Sequence, residues 1–210
     1  FDAVGNLVEN GANAWENQPE NLALLRNVRT LMNGFAQRFL VCEGPSDPFG
    51  YTAACGSAFA FGHQYDLVNA AKGNVAAIAA VASYFDTAPS SMSTMLSNHD
   101  GFAGDRAMDQ FNGNENQYRL AAATYLLQPG TPFIYYGEEV GMRGANLTGD
   151  PKLRTPMSWT GDTIRAGFTT GTPFRAQISG VDGNGKAYQR VARQLTRASD
   201  VTMTASSVPA

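Results

Sequence analysis

The chain has 210 residues, of which 16% are charged, and its formal net charge is -3. This balance does not favour a polyanion such as nucleic acid as a partner, and a neutral substrate fits it better. The longest apolar stretch, residues 75–85, is too short to span a bilayer about 30 Å thick, so we expect no membrane anchor. We expect the natural N-terminus to precede Phe1, so the absence of a signal peptide is uninformative and both extracellular and cytoplasmic locations stay open.

Helical periodicity and capping residues predict helices along the chain, and short apolar runs predict strands between them. The predicted helices are residues 20–35, residues 66–85 with a break open at Gly73-Asn74, and residues 117–127. The predicted strands are residues 39–41, 58–63, 93–96 and 133–136, and Pro and Gly punctuation predicts a loop over residues 45–57. Alternation at roughly 40-residue intervals indicates about four βα units of a parallel α/β fold.

The two cysteines, Cys42 and Cys55, lack the spacing of a metal site and are too few for a disulfide framework. Because the compartment is unknown, a bridge between them stays open, with free thiols as the favoured state.

Acidic side chains follow the strand-like runs. Glu43 comes directly after Phe39–Cys42, Asp100 ends the stretch Thr94–Asp100, and Asp2 stands at the first turn after what would be a strand. In a parallel α/β barrel the residues after the strands crowd round one mouth, so we expect these carboxylates to share a cleft.

These segments resemble motifs of the α-amylase family, a clan of retaining enzymes that act on α-glucans. Ser97-Asn98-His99-Asp100 resembles a strand end of that family, and Phe39–Glu43 resembles its acid-bearing strand. Gly130–Glu139 is similar to its last barrel strand, and Phe1–Val4 is similar to the second half of its nucleophile motif. The match of order and spacing is more specific than any one segment.

The resemblance implies a (β/α)8 TIM barrel. A complete barrel takes about 250 residues, so we expect the C-terminal half only, about four βα units. Residues 1–175 are predicted to form this partial catalytic barrel, and residues 176–210 are predicted to be divergent or poorly ordered. A half barrel has unpaired edges, so we expect the isolated chain to be inactive.

The resemblance also implies hydrolysis of α-1,4 bonds in starch or maltooligosaccharides by double displacement. Asp2 is the predicted nucleophile, Glu43 the predicted general acid and then base, and Asp100 a third carboxylate that stabilises positive charge on the sugar. Retention needs the first two carboxyl groups about 5–5.5 Å apart, with pKa values that diverge.

Further residues near Asp100 are predicted to bind substrate: Asn98, His99 and Arg106. For His99 the alternative is a core histidine satisfied by backbone. For Arg106 the alternative is an ion pair with Asp105 or Asp109. We predict no metal ligand; because Gly5-Asn6 stand where many α-amylases carry Lys-His, calcium stays open only as a structural ion.

The subfamily is open, because residues 16–21, followed by Leu25-Arg26 and Arg29, also resemble trehalose synthases and related α-glucosidases. An α-glucosidase or maltose isomerase is therefore the alternative enzyme. A non-catalytic carbohydrate-binding barrel is the alternative of another class, and the presence of all three acids disfavours it.

Overall fold

The computed structural model describes residues 1–144, 148–160 and 167, and the backbone of residues 174–181 and 187–194. The chain divides into two compact units: the first is Phe1–Ser97 with Gln110–Tyr135, and the second is Asn98–Asp109 with Tyr136–Ala210. In these described ranges no helix is both long and apolar enough to cross a membrane.

Helices and short strands alternate along the described chain. The helices are α1 (Pro19–Asn33), α2 (Pro48–Cys55), α3 (His63–Ala71), α4 (Val75–Thr87), α5 (Ala107–Gln110), α6 (Glu115–Leu127) and α7 (Asp150–Leu153). The strands are β1 (Ser93–Thr94), β2 (Thr131–Pro132), β3 (Phe174–Val181) and β4 (Ala187–Gln194).

Capping explains where the predicted helices begin. Pro19 opens α1, and the side chains of Asn74 and Asn114 accept hydrogen bonds from the first turns of α4 and α6. The predictions over residues 20–35 and 117–127 are confirmed. The predicted helix over residues 66–85 is broken at Gly73, whose φ of +89° a glycine adopts at little cost.

Two predictions about this region were wrong. Residues 45–57 contain α2 rather than only a loop, because Asp47 accepts a hydrogen bond from the Gly50 amide and Pro48 suits the first turn. His63 starts α3 rather than ending a strand, since the chain turns at Gly62 with a φ of +95°.

Strand-like segments of the first unit pair in parallel and in chain order. Cys42 pairs with Ala58, Phe59 pairs with Ser93, and β1 pairs with β2. Ahead of them, the Phe1 ammonium donates to the Val41 carbonyl and the Glu43 amide donates to the Phe1 carbonyl. Sequential parallel neighbours joined by helices form the pattern of consecutive βα units.

A core beneath Glu43 holds the first of these segments against α1 and α2. Its buried members are Val4, Leu25, Cys42, Tyr51, Ala54, Cys55 and Ala58. Cys42 and Cys55 form a disulfide inside this core, so the expectation of free thiols was wrong. The bridge ties the segment that carries Glu43 to the last residue of α2.

The second unit has short helices and an antiparallel strand pair. One-turn 3-10 helices span Gly101–Ala103 and Glu138–Val140, in addition to α7. β3 and β4 pair from Phe174 with Gln194 to Val181 with Ala187. They fall largely within the segment predicted to be divergent or poorly ordered, whose remaining residues lie outside the described ones.

We predict that reducing the Cys42–Cys55 disulfide lowers the free energy of unfolding by about 3 kcal/mol, because it frees a closed loop of this length in the unfolded chain. Urea unfolding followed by tryptophan fluorescence, with and without dithiothreitol, measures the change. The double variant Cys42→Ala/Cys55→Ala is the control and should not respond to the reductant. An unfolding midpoint of the parent protein that reductant leaves unchanged contradicts the prediction.

Candidate active site

The structure places Asp2 and Glu43 on neighbouring segments. Glu43 Oε2 accepts a 2.8 Å hydrogen bond from the Ala3 amide, and the Glu43 carbonyl accepts a 3.0 Å bond from the Val4 amide. The Glu43 amide donates to the Phe1 carbonyl over 2.9 Å. Both residues that flank Asp2 thus bond to Glu43, which brings the two predicted catalytic acids to the same edge of the parallel segments.

The backbone at Ala3 turns sharply after Asp2. Its φ of 45° lies in the left-handed region, which is uncommon for a residue with a β-carbon. This turn directs the Ala3 amide to the Glu43 carboxylate instead of to the next carbonyl of a regular ladder. Asp2 itself is exposed and Glu43 is half-buried, so the pair lies at the protein surface.

Buried residues of α1 and α2 support this corner, and the sequence analysis did not select them. The Asn21 side chain donates to the Gly5 carbonyl over 2.7 Å and is fully buried. The Tyr51 ring lies against Gly44, where a β-carbon would come within 2.1 Å of the ring. Burial raises the pKa of Tyr51, which keeps its hydroxyl protonated and able to donate.

Asn98, His99 and Asp100 form a second group. The Asp100 amide donates to Asn98 Oδ1 over 2.8 Å, and His99 Nε2 lies 3.4 Å from Asp100 Oδ2. The His99 side chain is 54% exposed, so the alternative of a core histidine is wrong. Its role in binding substrate stays a prediction.

Arg154 is a member of this group that the sequence analysis missed. Its Nη2 donates to Asp100 Oδ1 over 2.5 Å and to Asp150 Oδ2 over 3.0 Å, and its Nε donates to the His99 carbonyl over 2.9 Å. One guanidinium therefore binds both the backbone and the carboxylate of the His99-Asp100 pair. The sequence feature that could have indicated Arg154 is its i,i+4 spacing from Asp150, which is typical of an ion pair on a helix.

Arg106 is fully buried, whereas a residue that binds substrate directly is expected to be exposed. The Arg106 guanidinium stacks 4.3 Å from the centre of the Tyr136 ring, and Nη1 donates to the Tyr136 carbonyl. This contact fixes the segment after Tyr135 to the segment that follows Asp100. Direct substrate binding by Arg106 stays a prediction.

The neighbouring acids Asp105 and Asp109 are bound by cations. Lys152 Nζ lies 2.6 Å from Asp105, and Arg143 Nε lies 2.7 Å from Asp109. Within the part of the chain that the structure describes, no group of three or more His, Cys, Asp or Glu side chains is placed to hold a metal ion. Calcium as a structural ion stays the open alternative that the sequence analysis left.

A family model described as the alpha amylase catalytic domain matches residues 4–203. The alpha-amylase SusG of Bacteroides thetaiotaomicron is 42% identical over 79 residues, which cover 38% of this chain and 11% of SusG. The trehalose synthase/amylase TreS of Mycolicibacterium smegmatis is 44% identical over 66 residues, which cover 31% of this chain and 11% of that protein.

The solved structure of XgtA, an alpha-glucosyl transfer enzyme, has a TM-score of 0.62 to this chain at 21% identity. The match covers 81% of this chain and 41% of XgtA, and at this identity it concerns the fold alone. The family model, which spans nearly the whole sequence, identifies the chain as a member of the alpha-amylase catalytic-domain family, whose fold is the (β/α)8 barrel.

Proposed function

We propose that this chain carries the catalytic acids of a retaining glycosidase that hydrolyses α-1,4-glucans, such as starch and maltooligosaccharides. The observation that supports this most is the attachment of Glu43 to both neighbours of Asp2, through the Phe1 carbonyl and the Ala3 amide. A retaining enzyme needs two carboxyl groups held close together across the bond to be cleaved. Membership of the alpha-amylase family supports the choice of α-glucan as the substrate class.

In the proposed reaction, the Asp2 carboxylate attacks the anomeric carbon while the Glu43 carboxyl donates its proton to the departing glycosidic oxygen. The bond to the leaving sugar breaks and a covalent glycosyl ester forms on Asp2. Glu43, now a carboxylate, takes a proton from water, and the resulting oxygen nucleophile displaces Asp2. The second displacement restores the original configuration and both carboxyl groups.

Asp100 is proposed as the third carboxylate because Ser97-Asn98-His99-Asp100 resembles the family's strand end. Its charge would stabilise the positive sugar in the transition state, and Asn98 and His99 would bind sugar hydroxyls. Arg154 neutralises part of the charge on Asp100, so this contact also sets how strongly the carboxylate acts.

We also propose that the chain supplies the C-terminal half of the barrel, with the catalytic region in residues 1–175. The parallel pairing of consecutive segments supports this arrangement. Barrel closure requires further strands, so we expect activity from the full-length protein that contains this chain and none from the chain alone.

Product analysis separates the two enzyme candidates. The full-length protein is incubated with soluble starch and, separately, with maltose, and the products are resolved by chromatography. Mixed maltooligosaccharides from starch support the α-amylase proposal. Trehalose or glucose from maltose, without action on starch, contradicts it and supports the maltose isomerase or α-glucosidase, a candidate favoured by the likeness to the trehalose synthase/amylase TreS.

We predict that Glu43→Gln lowers kcat on starch by at least about a thousandfold while glucan binding is retained, because the amide cannot donate the proton that the leaving oxygen needs. Initial rates of reducing-sugar release and calorimetric titration with maltooligosaccharide measure the two effects. Glu9→Gln, which changes an exposed acid in the same way, is the matched control.

Activity of Glu43→Gln close to that of the parent contradicts the assignment of the general acid. A parent protein that binds maltooligosaccharide but releases no sugar under any condition supports the non-catalytic carbohydrate-binding barrel instead.

We predict that Arg154→Lys lowers kcat on starch by about tenfold, because a lysine cannot bond simultaneously to the His99 carbonyl, Asp100 and Asp150. Steady-state kinetics of the full-length protein provide the measurement. Arg119→Lys is the matched control, since Arg119 forms an exposed i,i+4 ion pair with Glu115 on α6. Equal kinetics for Arg154→Lys and Arg119→Lys contradict a role for Arg154 in positioning Asp100.

A further inference from the structure

Asn17 lies between the segments that follow the two proposed catalytic acids. Its amide N–H donates to the Gly5 carbonyl over 2.7 Å, on the segment after Asp2. Its side-chain oxygen accepts from Ser46 Oγ over 2.6 Å and from the Tyr51 hydroxyl over 2.8 Å, on the chain that follows Glu43. A single residue is thus hydrogen-bonded to both sides of the proposed catalytic pair.

The hydrogen-bond partners of Asn17 are themselves fixed. The Gly5 carbonyl also accepts from the buried side chain of Asn21, so α1 holds the same atom that Asn17 holds. Tyr51 is 2% exposed, and its ring leaves no room for a β-carbon at Gly44. Movement of the Asn17 side chain would therefore be transmitted to Gly44, the residue next to Glu43.

The local conformation of Asn17 is adapted to this bridging position. Its φ of 54° is left-handed, a conformation that asparagine adopts more readily than most residues. Gly5 matches it, because a β-carbon at Gly5 would come within 2.7 Å of Asn17 Oδ1. The sequence thus combines an asparagine that can take this backbone angle with a glycine that leaves space for its side chain.

We infer that Asn17 is a positioning residue that sets the separation between the carboxyl groups of Asp2 and Glu43 by bridging Gly5 to Ser46 and Tyr51. Its role rests on the proposed function of those two acids. Asn17 acts through the neighbours of Asp2 and Glu43, and no contact between Asn17 and the substrate is proposed. Because retaining catalysis depends on a narrow range of carboxyl separations, loss of the bridge should lower the rate of the chemical steps more than substrate affinity.

The test is a set of Asn17 variants in the full-length protein, assayed on soluble starch. Asn17→Gly removes the side-chain acceptor and keeps the left-handed backbone accessible, so we expect kcat to fall by about tenfold with KM changed by less than about twofold. Asn17→Asp keeps an acceptor oxygen at the same position and should recover most of kcat.

Asn112→Gly is the matched control. Asn112 also has a left-handed backbone, with a φ of 53°, and lies between α5 and α6, so its replacement should leave kcat unchanged. Thermal unfolding of each variant accompanies the kinetics. The double variant Ser46→Ala/Tyr51→Phe removes both donors without altering Asn17 and should reproduce the loss of kcat while keeping the ring against Gly44.

Two results would overturn the role of Asn17. One is a kcat within about twofold of the parent for both Asn17→Gly and the double variant. The other is a loss of kcat that Asn17→Asp does not recover, together with an unfolding temperature that falls in parallel with kcat in every variant. Failure of the proposed function is recognised separately, because Glu43→Gln and Asp2→Asn would then retain the activity of the parent.

Discussion

The hydrogen bonds that Glu43 makes to the Phe1–Val4 segment are the constraint on which the candidate site depends. The proposed reaction needs the carboxyl groups of Asp2 and Glu43 at a fixed separation, so the backbone segments that carry them must be held together by other interactions. Here the Ala3 and Val4 amides bond to the side chain and carbonyl of Glu43. The left-handed Ala3 makes this geometry available at a conformational cost of about 1 kcal/mol, which the two hydrogen bonds can offset.

The parallel segments behind these acids are joined by few backbone hydrogen bonds, so helix packing and covalent linkage hold their order. Cys42 is fully buried, pairs with Ala58 and is bonded to Cys55 at the end of α2. Any displacement of α2 therefore acts on the residue before Glu43 through the disulfide, and on the residue after it through the Tyr51 ring. The helix that sequence analysis had taken as a loop is thus the element most directly coupled to the proposed general acid.

Whether a feature could be predicted from the sequence depends on how far apart along the chain its interacting residues lie. The neighbouring positions of Asp2 and Glu43 were predictable, because strand ends in a parallel fold meet at one edge and the motifs fixed which residues end the strands. The helix α2 was missed because its eight residues lie among Gly and Pro, and the cap at Asp47 is a local signal without periodicity. Arg154 was missed because its partner Asp100 is 54 residues away.

Different interactions hold the acids of the two units. Main-chain hydrogen bonds and a buried core fix Glu43, whereas the Asp100 carboxylate is bound by the half-exposed side chain of Arg154. Single exposed ion pairs contribute about 0–1 kcal/mol and are screened by salt, so no one of them can fix a carboxylate. The ion pair of Arg154 with Asp100 differs from an isolated one. Additional hydrogen bonds from Arg154 to the His99 carbonyl and to Asp150 fix the orientation of the guanidinium that binds Asp100. The position of Asp100 thus depends on a connected hydrogen-bond network. The members of this network lie on loops, where the sequence has no periodic pattern from which they could be predicted.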